Sequence, residues 1–212
     1  MKIFSLPTSL SCLVLSSWID LKTFVILDSA VCAAREREQL RNLTSEPELV
    51  LKERIKSSKN AVLKWLLVRK IKIETLELDG DYDEKYFTEY LHGFGQHLRK
   101  VALNPGCTSS GIALITSFCR GLQVVHSSGR AQVLVLCELL KLNSTVTELR
   151  LEQLENKDIL CLDTLHCTHL QRFSLCACDH LSLFPWRILV GPHLKRIHLE
   201  KLPSVKHDDF TM

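Results

Sequence analysis

Glycine and proline are scarce in this chain, 8 and 6 among 212 residues, and neither sign of charge dominates, the balance being only +3. With 46% hydrophobic and 24% charged residues, the composition argues against extensive disorder. So small a positive excess gives no argument for a nucleic-acid partner. No apolar run reaches the length of a membrane span. The signatures of catalysis are missing too: there is no glycine-rich phosphate loop, no G-x-S-x-G elbow and no H-E-x-x-H helix. No enzyme class is indicated and no cofactor is implied. Nine cysteines make an odd count without the spacing of a small disulfide framework, which predicts reduced thiols and a cytoplasmic or nuclear setting.

What the chain does have is a rhythm. A short apolar pattern starts at Ile73, Leu98, Leu122, Val146, Leu170 and Leu194, at intervals of 25, 24, 24, 24 and 24 residues. Apolar residues recur three and five places after these starts, as in Leu76 and Leu78, Val101 and Leu103, Leu149 and Leu151, Phe173 and Leu175, and Ile197 and Leu199. The third copy is degenerate, with Val125 followed by Ser127. This period and its L-x-x-L-x-L core resemble a leucine-rich repeat, in which each unit is a strand plus a returning helix. Cys119 and Cys167, three residues before Leu122 and Leu170, and Cys178, eight after Leu170, resemble the cysteine-containing subtype. Such units bury their apolar faces only by stacking, so the resemblance implies an extended binding surface without a pocket.

The N-terminus reads differently. Leu10, Leu13, Val14 and Trp18 recur at helical steps after Pro7, and Asp20 is placed to cap a second apolar helix running through Leu21, Phe24, Leu27 and Val31. Residues Leu6, Pro7, Leu10, Val14, Leu15, Asp20, Leu21, Lys22, Leu27, Val31 and Cys32 resemble an F-box. The resemblance implies docking to a Skp-type adaptor of a cullin ubiquitin ligase through Leu6, Pro7, Leu10, Val14, Leu15, Leu21 and Leu27. The chain lacks the Arg-Trp or Lys-Trp pair that such boxes carry after Val-Cys, continuing instead Ala33-Ala34-Arg35-Glu36. A blander alternative makes these helices a cap on the open end of the stack. A third reads Met1 to Leu15 as a short signal peptide, which would turn Asn42 and Asn143 into glycosylation acceptors. The polar residues interrupting that run weigh against it.

Within each repeat, the outward positions form ladders across neighbouring strands. The densest set, Glu148, Arg150, Glu152, Arg172, Arg196, His198 and Glu200, is a candidate partner-binding concave face. Cys176 belongs to the same outward set and is expected to react first with a thiol reagent. Zinc is the competing use of Cys161, His166, Cys167, His169, Cys176, Cys178 and His180, but their spacing follows the repeat and no C-x-x-C pair exists, so no metal is expected. The acids Asp79, Asp81, Asp83 and Glu84 lack the rest of a calcium loop and read as a turn starting a helix.

The sequence thus predicts an α/β leucine-rich repeat solenoid of about six repeats with a small N-terminal helical F-box-like module. Residues 1–35 form the module, 36–72 a charged helical bridge broken at Ser57 to Asn60, and 73–212 the solenoid. The expected function is non-enzymatic: a protein-binding adaptor, which the F-box resemblance implies to be a substrate receptor of a cullin-type ubiquitin ligase, with no nucleic acid and no membrane as partner. The alternative is a repeat scaffold or regulatory interaction protein without a ligase. Ending at Met212 just after Leu202-Pro203 opens another turn, the chain is expected to be a truncated product with an exposed last strand.

Overall fold

Local polar chemistry starts the helices. Asp20 accepts a hydrogen bond from Thr23 N at 2.7 Å and opens a helix over Leu21–Ala30, and Asp83 accepts from Lys85 N and Tyr86 N to open another over Glu84–Phe94. Thr108 does the same for Ser109–Phe118 through Gly111 N. The computed structural model describes residues 6–31, 33–128, 133–154, 168–178 and 192–200. In chain order its elements are α1 (Thr8–Trp18), α2 (Leu21–Ala30), α3 (Ala34–Ser45), β1 (Val50–Lys56), α4 (Asn60–Arg69), β2 (Lys72–Leu78) and α5 (Glu84–Phe94). After a 3-10 turn at Gly95–His97 come β3 (Lys100–Leu103), α6 (Ser109–Phe118), β4 (Val124–Ser128), α7 (Val133–Leu142), β5 (Glu148–Glu152), β6 (Arg172–Cys176) and β7 (Arg196–Glu200).

The strands form one seven-stranded sheet, every pair parallel, in the order β1 to β7. Helices α4 to α7 pack in sequence against one another. Crossovers of one hand put such a row on one sheet face. Leu76, Leu78, Val101, Leu103, Val125, Leu149, Leu151, Phe173 and Leu175 point to that covered face and are all buried. The alternate positions form the opposite, open face.

This architecture corrects the predicted fold. In place of a leucine-rich repeat solenoid of about six repeats behind a separate helical module, the chain forms a single all-parallel α/β sheet, Rossmann-like in joining parallel strands through helices. Its described strands follow chain order without reversal, so they lack the switch-point crevice where open α/β sheets bind cofactors. The expected helical bridge is also revised. Val50–Lys56 is a strand, and its pairing to β2 steps from Leu51↔Ile73 to Arg54↔Thr75, one residue longer on β1 than on β2. The buried side chains of β1, Leu51 and Ile55, stand four residues apart with three exposed polar residues between them, a spacing that a helix face shares. The break expected at Ser57 to Asn60 is where β1 turns into α4. Contacts run across residue 35, where α1 packs on β1 and α3 and Asp28 of α2 pairs with Arg69 Nε of α4 at 2.9 Å and accepts from Trp65 Nε1, and the pairing of β1 with β2 ties the bridge to the residues after 72. Residues 201–212, and with them the expected exposed end, lie outside the described residues.

Buried polar groups tie the layers together. The Tyr90 hydroxyl donates to Ile71 O and accepts from Ile73 N, and burial raises its pKa. Lys72, also buried, donates from Nζ to Thr44 O and Glu46 O, joining β2 to the end of α3, and burial lowers its pKa. Asn143 is buried at the end of α7, where its side chain accepts from Leu122 N and donates to Leu139 O, which leaves no room for a glycan.

Candidate functional site

The open face is a set of polar ladders whose rungs the backbone pairing fixes. Lys100, Val124, Glu148, Arg172 and Arg196 are successive Cα partners, as are Ala102, His126, Arg150, Ser174 and His198, and then Ser128, Glu152, Cys176 and Glu200. All seven residues proposed for the partner-binding face therefore stand on β5, β6 and β7 on one side of the sheet. Glu148 accepts from Arg172 Nη1 at 3.1 Å and lies 3.4 Å from His126 Nε2, Arg150 Nε donates to Glu152 at 2.6 Å, and His198 Nε2 lies 3.5 Å from Glu200. The bond to Glu152 is the main reason the Arg150 guanidinium is held above its usual pKa. Arg196 stands directly beside Arg172 and makes no ion pair among the described residues. Like charges in opposed positions repel.

The other end of the same face is closed on itself. Arg54 Nε at 2.7 Å and Lys56 Nζ at 3.4 Å converge on Glu77, whose carboxylate also accepts from Asn104 Nδ2. Glu77 is buried beneath them, with its side chain 9% exposed.

The residues proposed for adaptor docking are divided by the structure. Leu10 and Pro7 are exposed, Leu6, Val14, Leu21 and Leu27 are half-buried, and Leu15 is wholly buried in the core and out of reach of any partner. Sequence reasoning missed the residues that are most exposed. Leu13 is 58% and Trp18 80% exposed on α1, and Val25 and Ile26 are exposed on α2. Meanwhile α1 turns Ser11, Cys12 and Leu15 inward. A helix with apolar and small residues on every side carries no periodic signal for which side faces the core. Between α1 and α3 lies a cleft of about 190 Å³ bordered by Leu6, Ser11, Gln39 and Asn42, smaller than the roughly 300–1,000 Å³ of small-molecule sites.

Among the cysteines, Cys119 and Cys178 are buried; burial pushes the Cys119 thiol up to about 12, while the Cys178 sulfur accepts from Leu154 N at 3.4 Å. Cys176 has the open-face register predicted for it, yet it is 6% exposed and covered by its neighbours, so the expectation that it labels first is revised. Of the cysteines and histidines weighed for zinc, Cys161, His166, Cys167 and His180 lie outside the described residues. The pairing of β6 with β7 instead gathers Cys176, His198 and Glu200, whose ligand atoms all lie within 4.8 Å of one another. No described helix is long and apolar enough to cross a membrane. Comparison of the chain with models of known protein families and with curated proteins finds no match.

Proposed function

We propose that this protein is a non-enzymatic adaptor with two docking surfaces, acting in the cytoplasm or nucleus. The N-terminal helices would engage a helical protein of the Skp adaptor type, and the open sheet face would hold the partner brought to it. The observation that carries this reading is the inverted α1: a helix that buries Ser11 at 1% while leaving Leu13 at 58% and Trp18 at 80% exposed keeps apolar area for another surface. Leu10 and Leu13, three residues apart, share one exposed face of α1, and Trp18 stands exposed at its end, the kind of anchor that carries most of an interface's energy. The link to a ubiquitin ligase rests on the F-box-like sequence alone. On the open face, the adjacent Arg172 and Arg196 favour a partner segment bearing carboxylates, which would relieve their mutual repulsion.

Co-purification of the reduced protein with a Skp-type adaptor tests the reading directly. Wild-type protein should retain the adaptor, and Leu13→Asp with Trp18→Ala should release it with little change in melting temperature. Leu15→Asp should unfold the protein, because it would place a charge at a fully buried position. Failure of the wild type to bind, or undiminished binding by the Leu13/Trp18 variant, would remove the adaptor role and leave only a partner-binding sheet.

A further inference from the structure

We infer that Cys176, His198 and Glu200 form a binding site for a borderline-soft divalent cation, zinc above all, at the β6–β7 edge of the open face. The three residues supply one thiolate, one imidazole and one carboxylate, the ligand types that zinc takes together. Their placement follows from the backbone. Cys176 is the Cα partner of Glu200, and His198 stands opposite Ser174, two residues back on the same face. Ala177 N donates to Glu200 O at 2.9 Å, which fixes the carboxylate's strand beside the cysteine.

The distances suit an ion. With metal–ligand bonds of about 2.0–2.3 Å in a tetrahedron, ligand atoms stand about 3.3–3.8 Å apart. His198 Nε2 and Glu200 Oε2 are already 3.5 Å apart, and every pair in the group is within 4.8 Å. The remaining closure is a side-chain movement of about 1 Å at His198 and Glu200, whose side chains are 64% and 47% exposed. The buried sulfur forms the floor of the site and the two exposed side chains its walls, and three protein ligands leave a fourth tetrahedral position for water.

The charges nearby agree. Glu152 is the Cα partner of Cys176 on its other side, so the ladder reads Glu152, Cys176, Glu200. Glu152 accepts a hydrogen bond from Arg150 Nε at 2.6 Å. Ser174 Oγ lies 3.5 Å from Cys176 Sγ, within reach of a supporting hydrogen bond to the thiolate. Linear spacing conceals all of this, because His198 and Glu200 come more than twenty residues after Cys176.

The test is titration of the full-length reduced chain with cobalt(II), followed by displacement with zinc(II). One cobalt per chain should bind, giving the visible bands of four-coordinate cobalt and a near-ultraviolet thiolate charge-transfer band, and zinc should remove both. Cys176→Ser should abolish the charge-transfer band. His198→Gln and Glu200→Gln lie at exposed positions and should leave the fold intact, while each weakens cobalt binding by about tenfold or more. A Cys161→Ser, Cys167→Ser double variant should bind as the wild type does. The inference is overturned if no cobalt binds, if the charge-transfer band survives Cys176→Ser, if His198→Gln and Glu200→Gln bind normally, or if the Cys161/Cys167 variant is the one that loses the metal.

Discussion

The two ends of the open sheet face use the same residue types for opposite ends. Across β1 to β3, Arg54, Lys56 and Asn104 converge on Glu77, and the carboxylate is nearly shielded from water. Across β5 to β7, the charges pair along or between strands on side chains 30% to 64% exposed, and one arginine pair is left side by side. Burial is what separates them. A shielded carboxylate needs all its partners to offset lost hydration, whereas exposed pairs exchange partners with water at little cost. The first end is cement for the sheet, and the second is a surface prepared for something else.

The sharpest way to break that contrast is to remove one carboxylate from each end. Glu77→Ala should lower the unfolding free energy by about 2–3 kcal/mol, because Asn104 loses an acceptor and two cations lose their anion together. Glu148→Ala should cost below about 1 kcal/mol. Urea unfolding of the two variants measures the difference, and equal losses would erase the distinction between the ends.

Between the ends lies β4, where Ser127 occupies a core position that holds leucine in the flanking strands. It is 1% exposed and its hydroxyl has no hydrogen-bond partner among the described residues. Ser127→Ala should raise stability by about 1 kcal/mol by removing the unsatisfied group. A loss of stability would show that the hydroxyl is satisfied after all.

Smaller still on stability is the effect of Arg172→Glu with Arg196→Glu, expected within about 0.5 kcal/mol of wild type. Partner binding should nevertheless fall, chiefly through slower association at low salt. Unfolding of this variant would show that the arginines belong to the closed, structural part of the face. Unchanged binding would move the docking surface elsewhere.

The smallest expected signal is a pH effect from the closed end. His97, just before β3, has its pKa lowered from 6.5, first by burial and then by the nearby charges of Lys72 and Arg99. The folded chain thus favours neutral imidazole, and the unfolded chain takes up the proton first as pH falls. The stability contribution is full above 6.5 and declines as pH drops from there toward the folded value. His97→Gln should flatten that part of the stability profile in urea titrations, and an unchanged slope would assign it to other groups.

The interval of 24 residues was legible as strand spacing because parallel neighbours of equal unit length must pair in step: Arg150, Ser174 and His198 fall in one row for that reason. The helix starts at Asp20 and Asp83 were legible too, since a cap is a matter of a few adjacent residues. The strand β1 was not, because its two buried residues, Leu51 and Ile55, stand four apart, a spacing that a helix face shares. Nor was the division of α1 into faces, or the gathering of Cys176 with His198 and Glu200. By itself, then, the sequence determined the strand register, the caps and the turns, all of which depend on period and on neighbours along the chain. The single continuous sheet, the side of α1 left to solvent and the burial of Glu77 and Cys176 were decided only by tertiary structure. Burial depends on what comes to lie on top of a residue, and no local pattern states that.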